Sequence, residues 1–235
     1  MRTLLTLAWW TVMTPMAAIL TLPYALVTGD SSFLYRVGMW VVRMGIKLAG
    51  IRVEIIGRDR LDPKQTYIFM SNHVSNIDPP LLIPLVPGRT SVLVKKELFR
   101  IPILGFAMRV ARLVPVDRHN RDAAVASVHS AADVVRSGLS MTIFPEGTRS
   151  PDGRLLPLKK GPFYLATDSG CPIVPVTLLG THEIMPKGKF FIRPKKAVAK
   201  IVFHDPIWPK DFDDRDALIA AVRDSISSAL PNSAR

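Results

Sequence analysis

His73 stands five residues before Asp78 in the run Ser71-Asn72-His73-Val74-Ser75-Asn76-Ile77-Asp78, directly after an apolar stretch. A carboxylate beside an imidazole fixes its tautomer, leaves the other ring nitrogen free to take a proton, and stabilises the imidazolium that forms. That is the equipment of a general base acting on a hydroxyl. On a straight helix five residues turn through about 140°, so the two side chains can meet only across a turn. Pro79 and Pro80 give a reason for one: Asp78 suits a helix N-cap, and Pro79 fits the first helical position, where its missing N–H costs nothing. With five His and 15 Asp in 235 residues the spacing alone arises readily by chance, so a second cluster has to support it.

Phe144-Pro145-Glu146-Gly147-Thr148-Arg149 is that cluster. It follows a strand-like run, Gly147 permits close backbone approach, and Arg149 offers a planar fork for phosphate oxygens. Only four Glu occur, and two of them, Glu97 and Glu146, lie among cations. Lys95 and Lys96 close one strand-like run and Arg118 closes another, so several cations converge at strand ends, where ligands of open α/β sheets bind. No Gly-x-Ser-x-Gly elbow occurs, which favours direct transfer to a hydroxyl over a covalent serine intermediate. Cys171 is the single cysteine, which excludes an intrachain disulfide or a thiolate metal cluster. No spaced partner accompanies His119, His129, His182 or His204, so neither metal nor organic cofactor is expected. Lys159, Lys160 and Gly161 either extend this ligand site or form a solvated loop.

The elements that must carry these residues alternate. Strands are predicted at 53–57, 67–72, 90–96, 112–118, 141–144, 172–179 and 199–203, with period-3.6 stretches through Val125, Val128, Ala132 and Val135 and through Leu218, Val222 and Ile226. Gly138 is placed to end the first of these helices. The pattern predicts an α/β fold around a mixed, largely parallel central sheet flanked by helices. No internal repeat or linker follows residue 50, which divides the chain into a 1–50 helical anchor and a 51–235 catalytic domain.

A net charge of +12 and a pI near 10.2 call for an anionic partner. The charge resides in residues 51–210, which contribute +11. No charged residue interrupts the 27 positions between Arg2 and Asp30, enough for about 40 Å of helix. Pro15 and Pro23 predict a bent or re-entrant segment rather than one straight helix. The long apolar stretch and the lack of an Ala-x-Ala site argue against a cleaved signal peptide. Over 33–50, Arg36, Arg43 and Lys47 form one basic stripe, with Leu34, Val37, Trp40, Val41 and Met44 on the remaining surface, as expected of an interfacial helix on anionic head groups.

Asn72-His73-x4-Asp78 with Phe144-Pro145-Glu146-Gly147-Thr148-Arg149 resembles the glycerolipid acyltransferases, and the order of motifs is most similar to the 1-acylglycerol-3-phosphate acyltransferases. The resemblance spans 50–210. Val114-Pro115-Val116-Asp117-Arg118 and Ile173-Val174-Pro175-Val176 look like further family blocks, although Arg112 stands where many members have Gly. Lys95-Lys96-Glu97-Leu98 fits the segment between the first two blocks. The resemblance implies transfer of a fatty acyl group from acyl-CoA or an acyl carrier protein thioester to the sn-2 hydroxyl of lysophosphatidate, at the cytoplasmic face of a membrane and in contact with its lipids. It implies His73 as base and Asp78 as its partner. Lys95, Arg118, Glu146, Gly147, Thr148 and Arg149 then bind the glycerol phosphate. The same chemistry on a lyso-ornithine lipid, another lysophospholipid or glycerol 3-phosphate remains open, as does a non-catalytic basic surface protein. No aromatic-interleaved nucleic-acid module is seen, so no nucleic acid partner is expected.

Overall fold

Ile68–Ser71 and Ser140–Ile143 are buried at every position, the signature of strands in a parallel sheet covered on both faces. The computed structural model describes residues 2–117, 121–193 and 197–234, with the side chains at 121–125 and 233 outside that description. All seven predicted strands form: β1 (Arg52–Ile56), β2 (Ile68–Ser71), β3 (Thr90–Lys95), β4 (Val114–Val116), β5 (Ser140–Ile143), β6 (Ile173–Leu179) and β7 (Val198–Phe203). They make one sheet in the order β1-β7-β6-β2-β5-β3-β4. Every neighbouring pair is parallel except β6 with β7.

The helices are α1 (Arg2–Thr28), α2 (Ser32–Ala49), α3 (Asp78–Leu82), α4 (Leu104–Val110), α5 (Arg121–Arg136), α6 (Gly161–Ser169), α7 (Thr181–Ile184) and α8 (Arg215–Ser228). Alternation along β2 sends Phe69 to one face of the sheet and Ile68 and Met70 to the other. Phe69, Val176, Ile201 and Phe203 pack with Ile46 and Ala49 of α2 and Leu81 and Leu82 of α3. Ile68, Met70 and Ile143 pack with Ala132 and Val135 of α5, Phe163 of α6, and Leu218, Val222 and Ile226 of α8. Of the residues predicted at helical spacing, Ala132 and Val135 of α5 and Leu218, Val222 and Ile226 of α8 are buried and Val128 is partly buried, while the Val125 side chain lies outside the described residues.

Two details of the amino terminus differ from expectation. The helix α1 continues through both Pro15 and Pro23, so the segment is one helix rather than a re-entrant pair. It packs along α2, with Trp10 close enough to Gly45 that an added Cβ there would lie 2.1 Å from the indole nitrogen, and such packing overrides the local preference of the prolines. In α2, Leu34 and Val41 are buried within the protein rather than turned to its surface. The basic stripe survives: Arg36, Arg43 and Lys47 are exposed, and Trp40 is half exposed.

Arg112 follows the last turn of α4 with φ +63°. Its N–H donates to Arg109 C=O at 2.9 Å, and Leu113 N–H donates to Met108 C=O at 2.9 Å, the paired bonds of a Schellman cap. That position favours glycine because an L side chain is strained there. A glycine at position 112, as the family resemblance leads one to expect, would take this helix-end conformation without strain. Arg112→Gly should raise stability by about 1 kcal/mol, read as a higher denaturation midpoint at unchanged turnover; a lower midpoint would show that the Arg112 side chain outweighs the backbone strain.

Candidate active site

Parallel register brings the two motifs level. Met70 of β2 lies opposite Ile143 of β5, so three residues further on His73 arrives beside Glu146. Val92 of β3 lies opposite Thr142, which carries Lys95 to the same edge, and Lys95 faces Val116 of β4. On the far side Ser71 pairs with Val176 of β6. Asn72 then extends that ladder with its side chain, donating from Nδ2 to Leu178 C=O at 3.0 Å and accepting from Leu178 N–H at 2.7 Å. The carboxyl ends of β2, β5 and β3 therefore form one rim.

Asp78 is fully buried. Its Oδ2 lies 2.7 Å from His73 Nδ1 and accepts from the N–H groups of Val74 at 2.8 Å and Ser75 at 2.7 Å. Backbone N–H groups only donate, so Oδ2 acts as an acceptor toward the ring as well: Nδ1 carries the proton and Nε2 keeps its lone pair. The chain turns as expected, but Asp78 sits inside the first turn of α3 with Ile77 at the N-cap. Pro79 and Pro80 have no N–H to offer, so the carboxylate reaches back over the turn to Val74 and Ser75 instead of forward. The His73 ring stacks on Phe144 at 4.2 Å with 27° between planes. Its side chain is only 10% exposed, so what remains open is a narrow approach.

Glu146 grips the same loop from the other side. Oε1 accepts from His73 N–H at 2.6 Å and Oε2 from Leu156 N–H at 3.0 Å, with 2% of the residue exposed. Burial pushes its carboxyl up to about 7; the two N–H donors pull it back, and Asp78 raises it further. Ser150 N–H donates to His73 C=O at 2.8 Å, so both backbone groups of His73 are held by the Phe144 to Ser150 segment.

The remaining predicted residues differ in placement. Gly147 adopts φ +70°, and the Lys159 stem crosses it so closely that an added Cβ would lie 2.8 Å from Cε. Thr148 is exposed. Arg149 is partly buried, and its Nη1 is enclosed without a hydrogen-bond partner among the described residues. Lys187 Nζ donates to Arg149 C=O at 2.6 Å. Lys95 is exposed at the end of β3, 3.6 Å from Glu97. Arg118 and His119 lie outside the described residues. The stacked Phe144, the Leu156 N–H and the crossing Lys159 could not have been assigned these parts from spacing, since each arrives from another part of the chain.

A cavity of about 520 Å³ opens beside the rim, walled by Leu93, Val128 and Ile143 with Phe144, Gly147 and Lys159. Phe144 thus stands between this space and His73. Among the described residues no group of three or more His, Cys, Asp or Glu side chains could hold a metal ion.

Residues 52–179 match the family model described as acyltransferase. A 1-acyl-sn-glycerol-3-phosphate acyltransferase from Limnanthes alba is 40% identical over 191 residues, covering 80% of this chain and 66% of that protein. The alpha form of the same-named enzyme from Homo sapiens is 29% identical over 211 residues, covering 89% of this chain and 74% of that protein. The chain spans just under two thirds of the length of the Limnanthes relative. Among solved structures, the 1-acyl-sn-glycerophosphate acyltransferase PlsC from Thermotoga maritima superposes with a TM-score of 0.81 at 26% identity, covering 97% of this chain and 95% of that one. With a family match over more than half its length that includes the rim His73 and Glu146 share, the chain belongs to the acyltransferase family.

Proposed function

We propose that the protein transfers a fatty acyl group from an acyl thioester, on coenzyme A or acyl carrier protein, to the sn-2 hydroxyl of 1-acylglycerol 3-phosphate, forming phosphatidate. The observation that carries this reading is the His73–Asp78 pair, buried, tautomerically fixed and set on the rim that Glu146 shares. The acceptor O–H gives its proton to His73 Nε2 as its oxygen bonds to the thioester carbonyl carbon. The C–S bond of the tetrahedral intermediate then breaks, and the departing thiolate takes the proton back from Nε2. The apolar walls of the neighbouring cavity suit the hydrocarbon of an acyl chain. His73→Ala should lower kcat by about 10²- to 10⁴-fold with melting unchanged, and Asp78→Asn should lose activity through the wrong tautomer; near-parental turnover in either would end the assignment.

Arg149 is assigned to the phosphate because a buried, unsatisfied guanidinium donor is costly until an anion meets it. Lys95, and by family resemblance Arg118, join it, with Gly147 and Thr148 lining the approach. Arg149→Lys keeps the charge and loses the fork. It should weaken use of lysophosphatidate by about 1.5–3 kcal/mol, or roughly ten- to 150-fold in kcat/KM, while slow hydrolysis of the thioester by water changes little. Equal losses in both reactions would move Arg149 to the thioester site or to the fold.

Glu146 is better assigned to holding His73 than to touching substrate, since both its oxygens already accept from backbone N–H groups. Its carboxyl, raised in the fold above the ordinary 4.5 to about 7, binds its proton more tightly folded than unfolded. The stability this confers is full below about pH 4.5 and is lost as the pH rises through about 7, an effect of about 3 kcal/mol. The stability of the parent relative to Glu146→Gln should therefore fall between pH 4.5 and 7 and stay level above. A flat difference across that window would rule out a buried, proton-retaining Glu146.

Membrane association of the amino-terminal pair is supported by its outward surface: Leu4, Val12, Ile19, Leu20 and Val27 are each 55% or more exposed. The helix α1 also touches the catalytic domain along its length. Thr3 Oγ1 accepts from Ile192 N–H at 3.1 Å, Trp10 packs on the main core, and Ala18 and Leu22 pack with Ala107 of α4. A helix so docked lies flat along the interface rather than crossing the bilayer. A cytoplasmic active site follows if the water-soluble acyl donors reach it from that side.

A further inference from the structure

Phe190 and Phe191 are 63% and 70% exposed, and neither the core nor the active site uses them. Their backbone is anchored on both sides. Met185 C=O accepts from Ser75 Oγ at 2.6 Å, Lys189 N–H donates to Pro186 C=O at 3.0 Å, and Arg193 N–H donates to Ile184 C=O at 3.0 Å. Met185 and Ile192 are buried. The loop is thus tied down while it holds two adjacent aromatic rings outward. Lys187, Lys189 and Arg193 flank them, all exposed, and no Asp or Glu occurs from residue 184 to 193.

We propose that this 187–193 loop is a second membrane contact, inserting Phe190 and Phe191 at the acyl boundary of an anionic bilayer while Lys189 and Arg193 meet lipid phosphates. Large apolar side chains at the tip with cations beside them match the layering of a membrane interface. The loop is continuous with the outward surface of α1, because Ile192 N–H is bonded to Thr3 on its first turn, beside the exposed Leu4 and Leu5. It also borders the active site through Lys187 and Ser75, so insertion here would seat the rim against the lipid that contains the acceptor. The inference rests on the membrane reading of α1 and α2 and adds a separate point of contact.

Fluorophore placed on single cysteines, in a full-length Cys171→Ser background, tests it at Phe191→Cys in the loop, Leu20→Cys on α1 and Asp224→Cys on α8. Vesicles of phosphatidylcholine with phosphatidylglycerol, carrying spin-labelled acyl chains, should quench the first two and not the third. Replacing Lys189 and Arg193 by Gln should weaken co-sedimentation with these vesicles about thirtyfold, at about 1 kcal/mol per cation, and leave acyl transfer in detergent micelles unchanged. Quenching at position 20 with none at 191 would overturn the loop contact while leaving the α1 reading in place; silence at both would overturn both. A response at 191 to an acidic carrier protein but not to vesicles would reassign the loop to a protein partner and overturn the proposal.

Discussion

A fully buried carboxylate governs this structure. Asp78 has no water to solvate it, so its charge has to be met by N–H donors of the protein, and three of them converge on one oxygen. Two come from the backbone of the very turn that carries His73. The bonds that solvate Asp78 therefore also fold the loop and fix the imidazole tautomer, and the proposed base can be neither re-oriented nor re-tautomerised without stranding a buried charge. Pro79 and Pro80 contribute by withholding N–H groups on the helical side, which leaves the carboxylate no competing partners there.

Glu146 imposes the complementary constraint from the neighbouring strand. Asp78 holds His73 within its own loop, whereas Glu146 ties that loop to β5 and, through Leu156, to the segment beyond. Burial pushes the Glu146 carboxyl up to about 7, and the neighbouring Asp78 carboxylate adds to the rise. The parallel register of β2, β5 and β3 makes the arrangement possible, because it ends these strands side by side on one edge, with the ladder to β6 prolonged by the Asn72 side chain.

The exposed cations of α2 and the exposed apolar residues of α1 occupy separate stretches of surface, as the proposed lipid contact requires. α2 buries Ile46 and Ala49 in the main core and Leu34 with α1 and α4, and keeps Arg36, Arg43 and Lys47 outside. α1 shows its apolar residues outward along a helix docked at several points. The proposed acceptor is itself a lipid, so a rim set beside such a surface shortens the path from bilayer to base.

Much of this was legible before any coordinates. Seven strands could be found because each is a short β-branched or aromatic run bounded by turn residues, and the buried faces of α5 and α8 because their apolar residues recur at 3.6 spacing. His73, Asp78 and the Phe144 to Arg149 run could be singled out because the chemistry requires those residue types, and the family resemblance gave them roles. Spacing could not reveal that the Asp78 carboxylate faces backward, that Glu146 spends both oxygens on backbone N–H groups, or that Phe144 stacks on the imidazole. Each depends on which strand lies beside which, and strand order is decided by long-range packing that no local pattern encodes. The prolines of α1 are the reverse case: a correct local penalty was outweighed by the helix's packing against α2. Residue types and local periodicity determined which groups could do chemistry and in which elements they would sit; tertiary structure alone decided their partners, because burial and neighbours, not identity, set a carboxylate's charge, direction and duty.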